Sequence, residues 1–355
     1  MSSRPLLVFV GGFLGAGKTT LILAGARELE RRGFRTAVIL NDQGDRLVDT
    51  QLARTLGQAA GEVTGGCFCC RFSQLMNVAD ELRTRRPHVI FAEPVGSCTD
   101  ISATTLQPIR SAFSSDYRIA PFTVLVDPAR ARALLAPSAD PDLAFLFRKQ
   151  IEEADLVCFT KSDLFPDTPE LRAASARQVS AKTGQGVAAW LDELLAGELA
   201  AGGRVLDIDY EQYARAEAAL AWMNLEATLE LATPQSPAMV LGPLLDRLDQ
   251  QLTAAAISIM HLKATDETPE AFLKAAVCAN GQTPSIEGAL DASPARQHRL
   301  LVNLRAAAPP ERVREIVEAE FQRLAGSLAY LRISCFQPAA PRPERRIARV
   351  VEAPA

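Results

Sequence analysis

Between residues 5 and 195, short unbroken apolar runs alternate with stretches whose apolar positions recur every three or four residues. The runs are "LLVFV" (6–10), "TAVIL" (36–40), "HVIFAE" (88–93), "FTVLVD" (122–127) and "LVCFT" (156–160). They are short, rich in β-branched residues and have no polar face, the pattern of strands buried on both sides. Helical spacing covers 18–32, 72–84 and 141–154. This alternation predicts an α/β fold, a parallel sheet with helices on both faces.

"AAGGR" (200–204) ends that block, and the rhythm changes. The pattern then predicts a strand over 219–231, a helix over 241–254, and strands over 256–263, 271–279 and 299–306. A helix over 309–325 follows, with Pro309 and Pro310 at its start. That order suggests a small α+β domain with an open-faced antiparallel sheet. The expected division is 1–200, a linker at 201–217, a second domain at 218–335 and a tail at 336–355. The tail is rich in Pro and Arg and is expected to be extended and poorly packed.

Composition adds little until the cysteines. A chain of 355 residues has two domains as its prior, and 48% hydrophobic residues suffice for two cores. A net charge of −4 gives no global basic field for nucleic acid. The apolar run near the N-terminus is too short for a signal peptide or a bilayer span. A cytoplasmic protein with no membrane partner is therefore expected. In that setting seven cysteines argue for metal or catalytic use of any cluster, not for a disulfide framework.

The first candidate chemistry lies between the first strand and first helix. Residues 12–19, "GFLGAGKT", fit G-x-x-x-x-G-K-[ST] in the context that motif requires. Gly12, Gly15, Ala16, Gly17, Lys18, Thr19 and Thr20 are thus assigned to phosphate binding. Glycines let backbone N–H groups close around phosphate, and the helix N-terminus adds favourable partial charge. Lys18 would reach the β- and γ-phosphates, and the Thr19 hydroxyl would bind Mg²⁺. Glu93 ends a strand beside this loop and is placed to support Mg²⁺. Gly96 would present its N–H to the γ-phosphate.

Two further segments address the base. "TKSD" (160–163) departs by one residue from the guanine-reading N-K-x-D, with Thr160 where Asn is usual. Asp163 would accept from guanine N1–H and N2–H₂, which adenine does not offer, with Lys161 beside it. "SAK", Ser180-Ala181-Lys182, falls where a following loop would offer the Ala181 N–H to guanine O6. In this order behind a P-loop, the pair favours GTP over ATP.

Cys67, Cys69 and Cys70 form C-x-C-C after Gly65-Gly66, which permits a tight turn. Three thiolates favour Zn²⁺, Cu⁺ or iron–sulfur centres and leave a fourth position open. Cys98, Cys158, Cys278 and Cys335 stand apart and read as small packing residues. His261, on a predicted strand, reads as a satisfied sheet histidine.

With "NDQGD", "GGCFCC", "AEPVG", "TKSD" and "SAK" in order behind the P-loop, the chain resembles the CobW-type GTPases, relatives of the nickel chaperones for urease and hydrogenase. The resemblance spans about residues 5–195 and continues more weakly beyond. It implies a P-loop NTPase fold with a mostly parallel sheet, plus a smaller C-terminal α+β domain. It implies a GTP-hydrolysing metallochaperone that cycles between GTP and GDP, with Lys18, Thr19 and Glu93 catalytic. The cargo would be zinc or cobalt, delivered to a client protein.

The family segment N-E-F-G-E reads Asn41-Asp42-Gln43-Gly44-Asp45 here, keeping both acids one methylene shorter. The resemblance carries Asp42, Asp45 and Glu62 over as metal-contacting acids. A His-rich metal store, common in relatives, is missing: the chain holds His88, His261 and His298, widely spaced. The tail resembles a subgroup associated with cobalamin, which brings in a corrinoid enzyme as a candidate partner. Either a monomer or a homodimer fits. Two alternatives stay open: a GTPase regulator of a corrinoid enzyme with structural zinc, and a P-loop small-molecule kinase.

Overall fold

The computed structural model describes residues 4–43, 57–165, 177–324 and 328–351. Asp45 lies outside the described residues. The chain divides into two compact units. The first runs to Ala216 and takes back the tail from Ala340; the second covers Glu217–Ala339.

The first unit is built on a parallel sheet. Its strands are β1 (Leu6–Gly12), β2 (Thr36–Asn41), β3 (Ala60–Val63), β4 (Val89–Glu93), β5 (Arg118–Ile119), β6 (Thr123–Val126), β7 (Leu156–Phe159) and β8 (Arg177–Gln178). The order is β3-β2-β4-β1-β6-β7-β8, with β5 also pairing with β1. Every residue of β1, β2, β4 and β6 is buried, so unbroken apolar runs are what these positions require. The helices are α1 (Lys18–Arg31), α2 (Phe72–Arg83), α3 (Gln107–Ala112), α4 (Pro128–Leu135), α5 (Pro141–Glu153), α6 (Val187–Ala196) and α7 (Tyr210–Ala218). A π-helical turn, Ser102–Leu106, leads into α3. Asp127 and Asp140 cap α4 and α5, accepting from the first-turn amides, with Pro at the first helical position of each. Strand β1 sits between β4 and β6, so the chain leaves it in one direction and later returns on the other side. The C-terminal end of β1 is therefore the switch point where open α/β sheets bind ligands.

The second unit is a six-stranded antiparallel sheet. Its strands are β9 (Ala221–Gln235), β10 (Ser258–Glu267), β11 (Phe272–Val277), β12 (Ser285–Gly288), β13 (Ala295–Ala307) and β14 (Leu328–Phe336), in the order β12-β11-β10-β13-β9-β14. Helices α8 (Pro237–Ala254) and α9 (Pro310–Gln322) supply Leu241, Leu244, Leu248, Val313, Val317 and Phe321 to the core over this sheet. His298 is fully buried and satisfied: one ring nitrogen meets Asp266 at 2.7 Å and the other Ala295 O at 3.0 Å.

Some elements were not expected from the pattern. Strand β3 reads "AGEV", with no apolar run, and exists because β2 offers it an edge. Strand β14 follows directly on the last helix. The tail is extended but does not lie loose. Ile347 donates its N–H to Ala103 O at 2.8 Å, and Val351 to Gln107 Oε1 at 2.6 Å.

Candidate functional site

The loop after β1 has the geometry of a phosphate cradle. Gly12, Gly15 and Gly17 take φ of 129°, 79° and 91°, values that glycine adopts without strain. A Cβ on Gly12 would fall 2.5 Å from Leu125 O, so packing against β6 independently demands glycine. Gly17 precedes α1, leaving that helix's first amides facing the loop. Lys18 is buried and its Nζ donates to Gly12 O (2.9 Å) and Phe13 O (3.4 Å), folded over the cradle from inside.

Thr19 and Glu93, 74 residues apart in sequence, meet at 2.8 Å, the hydroxyl donating to Glu93 Oε2, with both residues buried. A hydroxyl and a carboxylate at the mouth of a phosphate loop are hard oxygen donors, the set Mg²⁺ requires. Gly96 lies against Lys18: a Cβ there would approach Nζ to 2.9 Å. The loop after β4 therefore lies against the P-loop lysine.

The two segments expected to address the base emerge together. Strands β7 and β8 pair in parallel, Phe159 beside Gln178, so "TKSD" and "SAK" leave the same end of adjacent strands. Ser162 ties them, donating its N–H to Val179 O (3.3 Å) and its hydroxyl to Gln185 Oε1 (3.3 Å). Ser180 is buried and shapes its turn by accepting from Thr183 N–H at 3.2 Å. Asp163 and Lys182 are exposed, and Ala181 is half-buried. Lys161, at φ 58°, holds Asp127 Oδ2 at 2.6 Å. Asp127 had only its strand-ending position to mark it in the sequence.

The thiols of Cys67, Cys69 and Cys70 converge, all within 4.8 Å of one another. They sit on the turn that opens α2, where Cys67 O accepts from Cys70 N–H (3.0 Å) and Arg71 N–H (2.9 Å). Gly65 and Gly66 make the preceding bend at φ 69° and 158°. Asn41 is the clamp. From the end of β2 its Nδ2 donates to Val63 O (3.0 Å) and Gly66 O (2.7 Å), and its Oδ1 accepts from Phe68 N–H (3.0 Å). The sequence flagged the acids beside Asn41 and not Asn41 itself. Among the described residues no carboxylate joins the three thiols, so Asp42 and Glu62 are not brought into this group. Glu62 pairs with Leu40 across β3 and β2, and Asp42 follows at the end of β2, donating its N–H to Val63 O at 3.2 Å.

Cys69, then Cys70 and Cys98, stabilise the Cys67 thiolate by hydrogen bonding and hold that thiol well below its usual range. The same bonding to Cys67 pushes Cys69 up, and pushes Cys70 up to about 11. The arrangement fits a thiophilic ion. Tetrahedral zinc with Zn–S near 2.3 Å sets sulfurs about 3.8 Å apart. The Cys69–Cys70 separation of 3.7 Å already matches, while the Cys67–Cys69 pair at 2.6 Å must open.

The returning tail lies along this cluster. Arg342 donates its N–H to Cys70 Sγ at 3.2 Å, and Glu344 its N–H to Cys69 O at 2.9 Å. The Glu344 carboxylate caps α2, accepting from Ser73 N–H (2.9 Å) and Ser73 Oγ–H (2.6 Å). Arg345 lies over Phe72, 5.0 Å from the ring centre. Arg346 reaches Asp100 Oδ2 at 2.8 Å, a fully buried carboxylate that also accepts from the Tyr210 hydroxyl at 2.7 Å. Burial raises the Asp100 carboxyl, and the Arg346 and Tyr210 bonds oppose that rise. Beneath it lies Glu153, accepting from Thr99 Oγ–H (3.0 Å) and Ser102 N–H (3.2 Å) and pushed up to about 8, chiefly by burial.

A parallel sheet with a glycine-rich phosphate loop at the C-terminal end of its first strand, backed by a Thr–Glu pair, defines a P-loop nucleotide-binding protein. Residues 6–187, more than half the chain, match the CobW/HypB/UreG nucleotide-binding domain, and the chain belongs to that family. Similar relatives include the zinc chaperone YjiA of Escherichia coli, 30% identical over 187 residues, covering 49% of this chain and 55% of that protein. The zinc chaperone CobW of Pseudomonas aeruginosa is 32% identical over 193 residues, covering 46% and 50%. The chain spans about half the length of the curated relatives it matches. Among solved structures, nickel-complexed HypB from Helicobacter pylori covers 55% of this chain and 87% of its own at 18% identity and a TM-score of 0.39. Zn(II)-bound YjiA GTPase from E. coli covers 89% and 98% at 16% identity and a TM-score of 0.34. No helix among the described residues is long and apolar enough to cross a membrane.

Proposed function

We propose that this chain is a cytoplasmic GTP-hydrolysing metallochaperone that carries zinc, or cobalt, on Cys67, Cys69 and Cys70 and hands it to a client protein. The observation that carries the reading is the convergence of three thiols, within 4.8 Å, in the same compact unit as the phosphate loop. The names of the similar zinc chaperones support zinc as cargo.

Hydrolysis converts GTP and water to GDP and phosphate, and the protein's part is positioning and charge neutralisation. The cradle amides and Lys18 hold the β- and γ-phosphates, and Gly96 would give its N–H to the γ-phosphate. Mg²⁺, for which Thr19 and Glu93 supply the donors, neutralises the phosphate charge when bound. Asp163, with Lys161 and the Ala181 N–H, reads guanine. The intrinsic rate is expected to be slow and to rise with metal or client. Binding of the γ-phosphate favours the closed thiol site, and its loss favours release. Linkage then requires metal to tighten GTP binding by the factor that GTP tightens metal binding.

The test is titration of the full chain with Zn²⁺, in GDP and in a non-hydrolysable GTP analogue. A tighter site in the analogue is expected, and equal affinity overturns the switch. One observation favours a structural ion instead: Cys67 and Cys69 are almost fully buried. That reading predicts nucleotide-independent zinc and no transfer to an acceptor chelator on hydrolysis.

A further inference from the structure

The C-x-C-C motif offers three sulfurs, and the structure brings a fourth beside them. Cys98 lies on the loop after β4 and is buried. Hydrogen bonding from its thiol is among the interactions that lower the Cys67 thiol, after those from Cys69 and Cys70. Two independent features fix this loop where it is. Gln150, on α5, donates its Nε2 to both Gly96 O (3.0 Å) and Cys98 O (2.9 Å). The tail spans the gap from the other side: Glu344 bonds to Cys69 O, and Arg346 bonds to Asp100. Two extended residues cover about 7 Å, and the Arg346 side chain bridges the rest of the distance to Asp100. The Cys67–Cys70 turn and the segment from Cys98 to Asp100 are therefore neighbours along one strap.

We propose that Cys98 is the fourth sulfur donor of the metal site, completing a four-thiolate set with Cys67, Cys69 and Cys70. The inference rests on the metal reading above and adds a ligand that the motif does not contain. Chemically it needs little. A tetrahedral thiophilic ion with three thiolates takes a fourth soft donor in its remaining position. Cys98 lies outside the compact group of three, so its loop has to move toward the cluster for the fourth donor to bind.

That loop is also the one that lies against the P-loop lysine. Gly96, against Lys18 Nζ, stands two residues before Cys98, with the Gln150 amide gripping both carbonyls. A displacement at the γ-phosphate therefore reaches a metal ligand through two residues, without passing through the segment that follows β2. Nucleotide state can in this way add or withdraw one sulfur. Four donors would hold the ion, and three would leave a position for an acceptor's ligand.

The experiment is X-ray absorption on full-length protein loaded with one equivalent of Zn²⁺ in the non-hydrolysable GTP analogue, with chelator competition for affinity. Four sulfurs are expected in the wild type, and three sulfurs with one lighter donor in Cys98→Ser. The variant's zinc affinity should fall about tenfold or more. A wild-type count of three sulfurs overturns the proposal, and that measurement needs no variant to fold. Equal sulfur count and affinity in Cys98→Ser and Cys98→Ala overturn it as well. Failure of the wild type to hold zinc at all is a different result: it removes the metallochaperone reading itself. A Cys67→Ser control distinguishes the two, because it should lose zinc whenever the three-thiol site is real.

Discussion

Glu153 gives the first unit a stability that falls as pH rises. Its carboxyl is fully buried, pushed from an ordinary 4.5 up to about 8, first by desolvation and further by the charge of nearby Asp100. The folded protein thus keeps a proton that the unfolded chain gives up. Below pH 4.5 both states are protonated and the group costs nothing. Between about 4.5 and 8 each pH unit costs the folded state about 1.4 kcal/mol, and above 8 the loss is complete at roughly 5 kcal/mol. Glu153→Gln removes the titration and keeps the shape. The amide oxygen can accept from Ser102 N–H as Oε2 does, and the amide N–H can donate to Thr99 Oγ, as a protonated carboxyl would.

The variant's advantage over wild type should grow by about 3 kcal/mol between pH 5.5 and 8. At about 2–4 °C per kcal/mol, that widens the gap in melting temperature by about 10 °C. Asp100, raised by the same burial, is present in both proteins and largely drops out of the difference. Urea unfolding followed by Trp190 fluorescence reads this unit, because Trp190 is buried against Phe91 in the nucleotide domain. Phe substitution of Trp222 removes the second unit's signal. A difference between the two proteins that stays constant with pH, or that favours wild type at pH 8, refutes the reasoning.

Cys67→Ala should weaken zinc binding while leaving GDP affinity nearly unchanged, measured by competition with a fluorescent nucleotide. Asn41→Ala removes three hydrogen bonds that shape the thiol turn, worth about 1 kcal/mol each. Zinc affinity by chelator competition should fall with all three thiols still present, and an unchanged value would show the turn holds itself. Arg346→Ala leaves buried Asp100 with Tyr210 and no cation, at a cost of about 1–2 kcal/mol because Arg346 is partly exposed. Release of the tail is the cheapest relief, so amide exchange over 340–351 should speed up and a chelator should strip zinc faster. If both rates match wild type, the tail does not guard the cluster.

Much of the nucleotide site was legible along the chain because it is local. A strand, a glycine bend and a helix start are contiguous, and the glycines are required by backbone conformation at their own positions. The thiol motif was legible for the same reason: three cysteines within four residues share one turn. Glu93 and "TKSD" could be placed because each follows a strand that its apolar run announces, whereas "SAK" follows β8, a two-residue strand with no apolar run.

What the sequence could not decide was which distant segments share a place. Cys98 stands 28 positions past Cys70 and resembles any packing cysteine, until the tail that bonds to Cys69 also bonds to Asp100. Asn41 is one polar residue at a strand end, and its role appears when β3 pairs with β2 and brings Val63 and Gly66 within its reach. The tail carries no periodicity. It is held by bonds to residues far from it in sequence, among them the ion pair of Arg346 with buried Asp100. Periodicity reports the face a residue turns to its own element's neighbours. Ion pairs, clamps and shared ligands depend on distances between elements, and only the assembled sheet and its loops set those.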